Sequence, residues 1–210
     1  LPICDISAKI KRAEIFIIMG GSGCGKSTLL RHMIGLKSPA KGEVYYDGEP
    51  FWESSDEAKQ KRLRSFGVLF QSGALWSSMT LAENVALPLR QYTKLGEAEI
   101  REVCAYKLAL VGLTGFEDYN PSEISGGMKK RAGLARAMAL EPEVLICDEP
   151  VSALDLSVQA QVINLLEDIQ ARSNIAYLFI AHDLSVVRHI SRRIAVMYLG
   201  RLAEIGSGAE

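Results

Sequence analysis

The chain has 210 residues, 48% of them hydrophobic, enough for a sizeable core in one domain with a subdomain. Its formal net charge of -1 gives no electrostatic case for nucleic acid or an anionic lipid surface. No apolar run approaches the ~20 residues of a membrane span, the N-terminus does not read as a secretion signal, and Cys4, Cys24, Cys104 and Cys147 form no CxxC pair, which argues against a zinc site or a disulfide framework.

Leu1 to Lys11 carries spaced apolar residues, Ile3, Ile6, Ala8 and Ile10, and suits a strand. The β-branched run Ile15 to Met19 reads as a buried strand. It feeds Gly20-Gly21-Ser22-Gly23-Cys24-Gly25-Lys26-Ser27-Thr28, and then a segment with Leu29, Leu30, Met33 and Ile34 at helical spacing. Gly20 to Ser27 fits the phosphate-loop pattern G-x-x-x-x-G-K-[ST]. Glycines let backbone N–H groups converge on phosphate oxygens without a Cβ in the way. A helix starting near Gly25 adds its unpaired donors and the positive end of its dipole. Lys26 offers a point charge to the β- and γ-phosphates, and the Ser27 hydroxyl suits Mg²⁺. Gly35 then reads as a C-cap and Pro39 as a stop.

Glu43 to Tyr46 alternates, and Asp47-Gly48 predicts a hairpin turn. Ser54-x-x-Glu57 predicts a capping box opening a helix to Arg64, and Phe66 to Phe70 a short strand ending at Gln71. From Ser72 the pattern turns helical. Thr80-x-x-Glu83 is a second capping box, Pro88 predicts an early helix end, Glu97 to Leu110 is helical, and Ser125 precedes a helix from about Gly126 to Leu140. Residues 72–140 therefore read as an all-helical insertion. The α/β pattern resumes with a strand at Val144 to Cys147, running into Asp148-Glu149-Pro150. A helix from about Ser157 to Arg172, a strand from Ile175 to Ala181 ending at His182, and a short helix follow. A hairpin, Ile194 to Leu199 and Leu202 to Ile205 with its turn at Gly200-Arg201, closes the chain.

Strands alternating with helices imply an α/β fold with a mostly parallel sheet. Ligands in such sheets bind past the carboxyl ends of the strands. Gly20, Gln71, Asp148 and His182 each follow an apolar strand and are expected around one phosphate chain. Asp148 would hold the Mg²⁺ shell, with Ser27 and Gln71 as further metal contacts, and Glu149 would polarise the attacking water. Ser125, capping a helix and followed by Gly126-Gly127, makes a second anion site. One phosphate chain does not easily fill both sites within a subunit, whereas two subunits packed head-to-tail would let each lend its cap to the other's nucleotide. His32 and His189, on predicted helices, read as structural.

With these motifs in order, the chain resembles the ATP-binding subunits of ABC transporters over nearly its whole length. The matching residues are the Walker A loop from Gly20 to Thr28, the Q-loop Gln71, the signature Ser125-Gly126-Gly127, the Walker B end Asp148-Glu149, the D-loop Ser152-Ala153-Leu154-Asp155 and the switch His182. The resemblance implies a P-loop NTPase (RecA-like) core, residues 1–71 and 141–210, with a helical subdomain, 72–140, that grips an integral-membrane permease. It further implies Mg²⁺ and ATP as cofactors and an ATP-sandwich homodimer. Glu149 would drive hydrolysis, and His182 and the partner's signature serine would touch the γ-phosphate. The protein would be cytoplasmic, peripheral on the inner membrane, with no nucleic-acid partner. Met128 replaces the usual signature glutamine, Ala13 stands where a turn glycine is common, and the adenine-stacking aromatic of the family would lie upstream of Leu1. The abrupt start and the short tail after Ile205 read as those of a fragment.

Residues Leu69 to Leu75, Asn84 to Arg90 and Ser125 to Ala132 resemble the ATPases of Mla-type phospholipid transporters, in which a signature methionine is normal. Ser157 to Val162 and Tyr177 to Glu204 resemble the oligopeptide/dipeptide importer ATPases, so that the chain reads as a mosaic joined near Pro150. The helical segment that would meet the permease carries the first likeness, and the expected cargo is a phospholipid, with peptide as the alternative.

Overall fold

Alternation along the strands decides the layering. In a computed structural model, describing residues 3–182 and 190–208, a sheet of six strands forms from β1 (Ile15–Met19), β4 (Phe66–Leu69), β5 (Val144–Asp148), β6 (Ala176–Ala181), β7 (Arg193–Tyr198) and β8 (Arg201–Ser207). The spatial order is β4-β5-β6-β1-β7-β8, parallel except for the final antiparallel pair. Phe16, Ile18, Ile146, Leu178 and Ile180 point to one face, against Leu30 and Ile34 of α1 (Lys26–Met33) and its following turn. Ile15, Ile17, Leu145, Cys147, Tyr177 and Phe179 point to the other, under α3 (Leu81–Tyr92), α4 (Glu97–Leu110), α5 (Gly126–Ala137) and α6 (Leu156–Ser173). Both faces are covered, which is why these strands read as continuous apolar runs.

Several local expectations hold. Thr80 and Glu83 close a reciprocal capping box at the start of α3, α4 spans the predicted residues, and Ser125 caps α5 by accepting from the Met128 N–H. Gly35 (φ 77) follows α1 in the left-handed region, and the Leu36 N–H returns to Arg31 O as a C-cap requires. Among the described residues, 72–140 contributes helices and turns but no strand.

Five expectations are corrected. Residues 4–11 form no strand; instead Ile3, Ile6 and Ile10 pack onto the α1-side core. The strand predicted at Glu43 shortens to β2 (Tyr45–Tyr46), paired with β3 (Glu49–Pro50) across Asp47-Gly48, because the Glu43 carboxylate accepts from the Val44, Trp52 and Glu53 N–H groups. The helix after it, α2 (Asp56–Leu63), is capped by Ser55, since the Ser54 hydroxyl donates to Pro50 O. Helix α3 continues through Pro88 to Tyr92: the missing N–H is outweighed by the buried stripe Leu81, Val85 and Leu89. The final hairpin turns at Leu199-Gly200, both at positive φ, one residue before the predicted pair. The short helix predicted after His182, with His189, falls outside the described residues.

Asn84 links α3 to the loop before it. Fully buried, it accepts from the Trp76 N–H (2.7 Å), and its amide donates to Trp76 O, Met79 O and Thr80 O. Asn84→Leu strands the Trp76 N–H and Met79 O, while Trp76 O and Thr80 O keep backbone donors; about 2–3 kcal/mol of stability should be lost. In a domain of this size a melting temperature lower by about 5–10 °C is expected in a thermal scan.

Candidate functional site

The strand order places four loop starts side by side. Register pairs Met19 with Ala181, Asp148 with Ile180 and Leu69 with Cys147, so β4, β5, β6 and β1 end at one level. At or just past those ends lie Gln71, Asp148-Glu149, His182 and the phosphate loop from Gly20. The sheet thus brings together the residues that the sequence singles out at strand ends.

The phosphate loop runs from Gly20 to Gly25, with Gly23 (φ 76) and Gly25 (φ 109) in the left-handed region. Gly25 N-caps α1, whose first residues are Lys26, Ser27 and Thr28. A Cβ on Gly20 would collide with Met197 O and lie 2.7 Å from the Cys24 sulfur, so the loop's first residue has no room for a side chain. Gly21, Ser22, Gly23 and Ser27 are exposed, whereas Cys24 is packed inside. Lys26 is buried, its Nζ donating to Gly20 O (2.6 Å) and Gly21 O (3.0 Å). The ammonium therefore sits on the rim of its own loop, where a phosphate oxygen would meet it.

Glu149 is the convergence point. Gln71 Nε2 donates to Glu149 Oε2 at 2.9 Å, and His182 Nδ1 lies 3.1 Å from Glu149 Oε1. The carboxylate thus has one partner from β4 and one from β6. Its backbone is in the left-handed region (φ 47), with its N–H donating to Ile180 O (3.0 Å). A glutamate in that region carries strain of order 1–3 kcal/mol. Beside it, burial and then the Glu149 charge push the Asp148 carboxyl pKa upward, opposed by Lys26 and Arg31. An approaching cation would offset that rise by favouring the ionised carboxylate. Ser27, Asp148 and Gln71 carry hydroxyl, carboxylate and amide oxygens, donor types that fit a hard divalent ion such as Mg²⁺.

The Ser125-Gly126-Gly127 cap lies elsewhere. Ser125 and Gly126 are exposed at the start of α5, and among the described residues no hydrogen bond or ion pair joins that cap to the phosphate loop. A Cβ on Gly127 would lie 2.5 Å from Val158 Cγ1, so α5 starts hard against the start of α6. Asp155 is the N-cap of α6; the Val158 N–H, and then the Ser157 hydroxyl, hold its carboxyl below the usual range. Leu156 next to it is 80% exposed, the most exposed large apolar side chain among the described residues.

Sequence reasoning missed two cations of α5. Arg136 donates to Gly73 O and Ala74 O in the loop after Gln71, at 2.9 and 2.7 Å. Lys130, 6% exposed, reaches the loop after Glu149. Lys130 lies at helical spacing from Gly127 and Leu134, all three buried, but a lysine in a basic helix gives no sequence signal of that burial.

A strand, a phosphate loop opening a helix, and a carboxylate pair at the end of β5, one strand removed from β1, define a P-loop nucleotide-binding domain. The chain belongs to the ABC transporter family, whose profile matches residues 3–152. It is 42% identical over 202 residues to the "Probable ribonucleotide transport ATP-binding protein mkl" of Mycobacterium tuberculosis, covering 96% of this chain and 56% of that protein. It is 45% identical over 204 residues to the oligopeptide transport ATP-binding protein AppF of Bacillus subtilis, covering 95% of this chain and 62% of the relative. The chain thus spans little more than half the length of these curated relatives. Among solved structures it is similar to the dimeric post-hydrolysis state of the ATP-binding cassette MJ0796 bound to ADP and Pi. The TM-score is 0.88 at 30% identity, over 98% of this chain and 90% of that one. The fold is the α/β P-loop fold of the ABC ATPases, with a mostly parallel six-stranded sheet and a helical portion.

Proposed function

We propose that this chain binds Mg-ATP and hydrolyses it as the ATPase subunit of an ABC transporter, working as a head-to-tail homodimer on an integral-membrane permease. The observation that carries the reading is Glu149, held between Gln71 and His182 at the mouth of a complete phosphate loop. Lys26 and the loop N–H groups bind the β- and γ-phosphates, and Ser27, Asp148 and Gln71 would hold Mg²⁺, which supplies charge neutralisation on the phosphates. Glu149 takes the proton of the attacking water as its oxygen joins the γ-phosphorus; the bond to the ADP oxygen breaks and phosphate leaves. His182 orients that carboxylate. Asp155 and the exposed Leu156 belong with Ser125-Gly126-Gly127 to the face offered to the partner subunit.

Residues 1–71 and 141–210 form the nucleotide-binding core in this reading, and 72–140 the subdomain that meets the permease. Contact with the membrane is through that permease alone, on its cytoplasmic side; among the described residues no helix is long and apolar enough to cross a membrane. For the cargo, we favour peptide. Relatives at 40–45% identity carry the names of oligopeptide, dipeptide and ribonucleotide transport proteins. The phospholipid cargo expected from the segments around Gln71 and Ser125 finds no counterpart in those names, and yields to its alternative.

ATP turnover by the purified chain, with Lys26→Ala as control, tests the activity. The parent should release phosphate and the variant should not, having lost the charge that binds the terminal phosphates; equal rates would remove the ATPase reading. Identification of the integral protein recovered with the chain from membranes tests the cargo, since a peptide permease and a phospholipid permease are distinct proteins.

A further inference from the structure

We infer that Lys130 is a positioning residue that ties the helix carrying the Ser125 cap to the backbone of Glu149 in the same protomer. The catalytic consequence depends on the ATPase activity proposed above; the tie itself does not. Lys130 Nζ donates to Ser152 O (2.7 Å), Ser152 Oγ (3.3 Å) and Glu149 O (3.3 Å). An ammonium has three donors, and all of them are spent on one loop. The Ser152 hydroxyl donates in turn to Glu149 O at 2.9 Å, and the Ser152 N–H does so at 3.1 Å. The Glu149 carbonyl is therefore a hub, while its N–H is fixed to β6 through Ile180 O.

Between those anchors the chain is held at positive φ at Glu149 (47°) and again at Ala153 (59°). Non-glycine residues leave such conformations when nothing compels them to stay. Lys130 is what compels them from the α5 side. The close approach of Gly127 to Val158 makes the first turns of α5 and α6 a single packed unit, so a displacement of the serine cap is carried to the Glu149 peptide without slack. An apolar side chain would be easier to bury at this position: burial depresses the lysine pKa to about 8, opposed by the Glu149 charge. What the lysine adds is a set of aimed donors. A cap seated on a partner's nucleotide would thereby set the orientation of the carboxylate beside its own.

Lys130→Met keeps the stem and removes the donors; Lys130→Gln restores N–H groups without charge. With Lys130→Met, kcat for ATP should fall about 10- to 100-fold, the scale of a misaligned catalytic group, with KM for ATP within about twofold of the parent. Lys130→Gln should recover part of the rate. In a Glu149→Gln background Lys130→Met should cost nothing further, because no base remains to be aligned. Hydrogen exchange on the nucleotide-free protein should accelerate at the amides of Val151 to Ala153 and stay at parent rates in α4 and β5. A folded Lys130→Met protein with parental kcat, a loss in KM alone, or exchange raised uniformly would overturn the inference. If Lys130→Met does not fold, Lys130→Gln is read by the same measures against the parent. Should the parent show no turnover above Lys26→Ala, the ATPase reading fails and exchange alone decides. Acceleration confined to Val151–Ala153 then sustains the tie, and parental exchange overturns it.

Discussion

Glu149→Gln should lower ATP turnover by about 10²- to 10⁴-fold, the usual range for losing a general base, while ATP binding persists. The residues that would bind ATP are elsewhere: Lys26 and Ser27 open α1, the loop from Gly20 to Gly25 joins it to β1, and Glu149 touches none of them through a hydrogen bond among the described residues. Glutamine is isosteric with glutamate, so the oxygen that accepts from Gln71 can remain in place. The other oxygen becomes an NH₂ facing His182 Nδ1, which can serve as acceptor in the other tautomer. Neither change empties the site, but the amide cannot take a proton from water. ATP should then persist at the seam of the dimer, and sedimentation with ATP should show the variant as a stable dimer where the parent cycles back to monomer. A Glu149→Gln protein that hydrolyses at the parental rate would remove Glu149 from the chemistry.

What the sequence made legible was local or periodic. The phosphate loop is a contiguous pattern whose glycines answer to backbone geometry, and Gly23 and Gly25 occupy the left-handed conformations it requires. Gln71, Asp148 and His182 could be placed because each ends an apolar run, and a parallel sheet brings such ends together. The misses came where a side chain answered to a partner distant in sequence. Pro88 reads as a stop from its own chemistry, but tertiary burial of Leu81, Val85 and Leu89 keeps α3 running. Ser54 and Ser55 are equally good caps by type; the contact of Ser54 with Pro50 decides between them. Lys130 and Arg136 look like ordinary exposed cations of a basic helix, and only the approach of two loops from β4 and β5 gives them carbonyls to hold. Ala13 adopts positive φ (55°) in the place where the family commonly has glycine: the turn persists although the residue that eases it is absent.

Ser125→Arg should abolish turnover in a pure homodimer, and a mixture with Lys26→Ala should regain part of it. The Ser125 cap is exposed at the start of α5 and, among the described residues, makes no hydrogen bond to its own phosphate loop; in the proposed head-to-tail dimer a nucleotide in that loop would be reached by the cap of the other copy. Arginine there would project a long cation into the γ-phosphate position of the partner's site. The loss of the cap itself is a smaller effect, about 1 kcal/mol of helix stability, and Ser125→Ala isolates it: that variant should stay folded and retain more activity than the arginine one. In a mixed dimer, the Ser125→Arg protomer supplies an intact Lys26 and the Lys26→Ala protomer an intact Ser125, so one of the two sites is whole. Random pairing of equal amounts makes half the dimers mixed, and one sound site in each sets an upper value of about a quarter of parental turnover if the sites act independently. Trapping of labelled ATP reports the same site without requiring full cycles. If neither turnover nor trapping rises on mixing, while each variant remains folded and able to pair with the parent, the nucleotide must be completed within one protomer and the shared-seam arrangement falls.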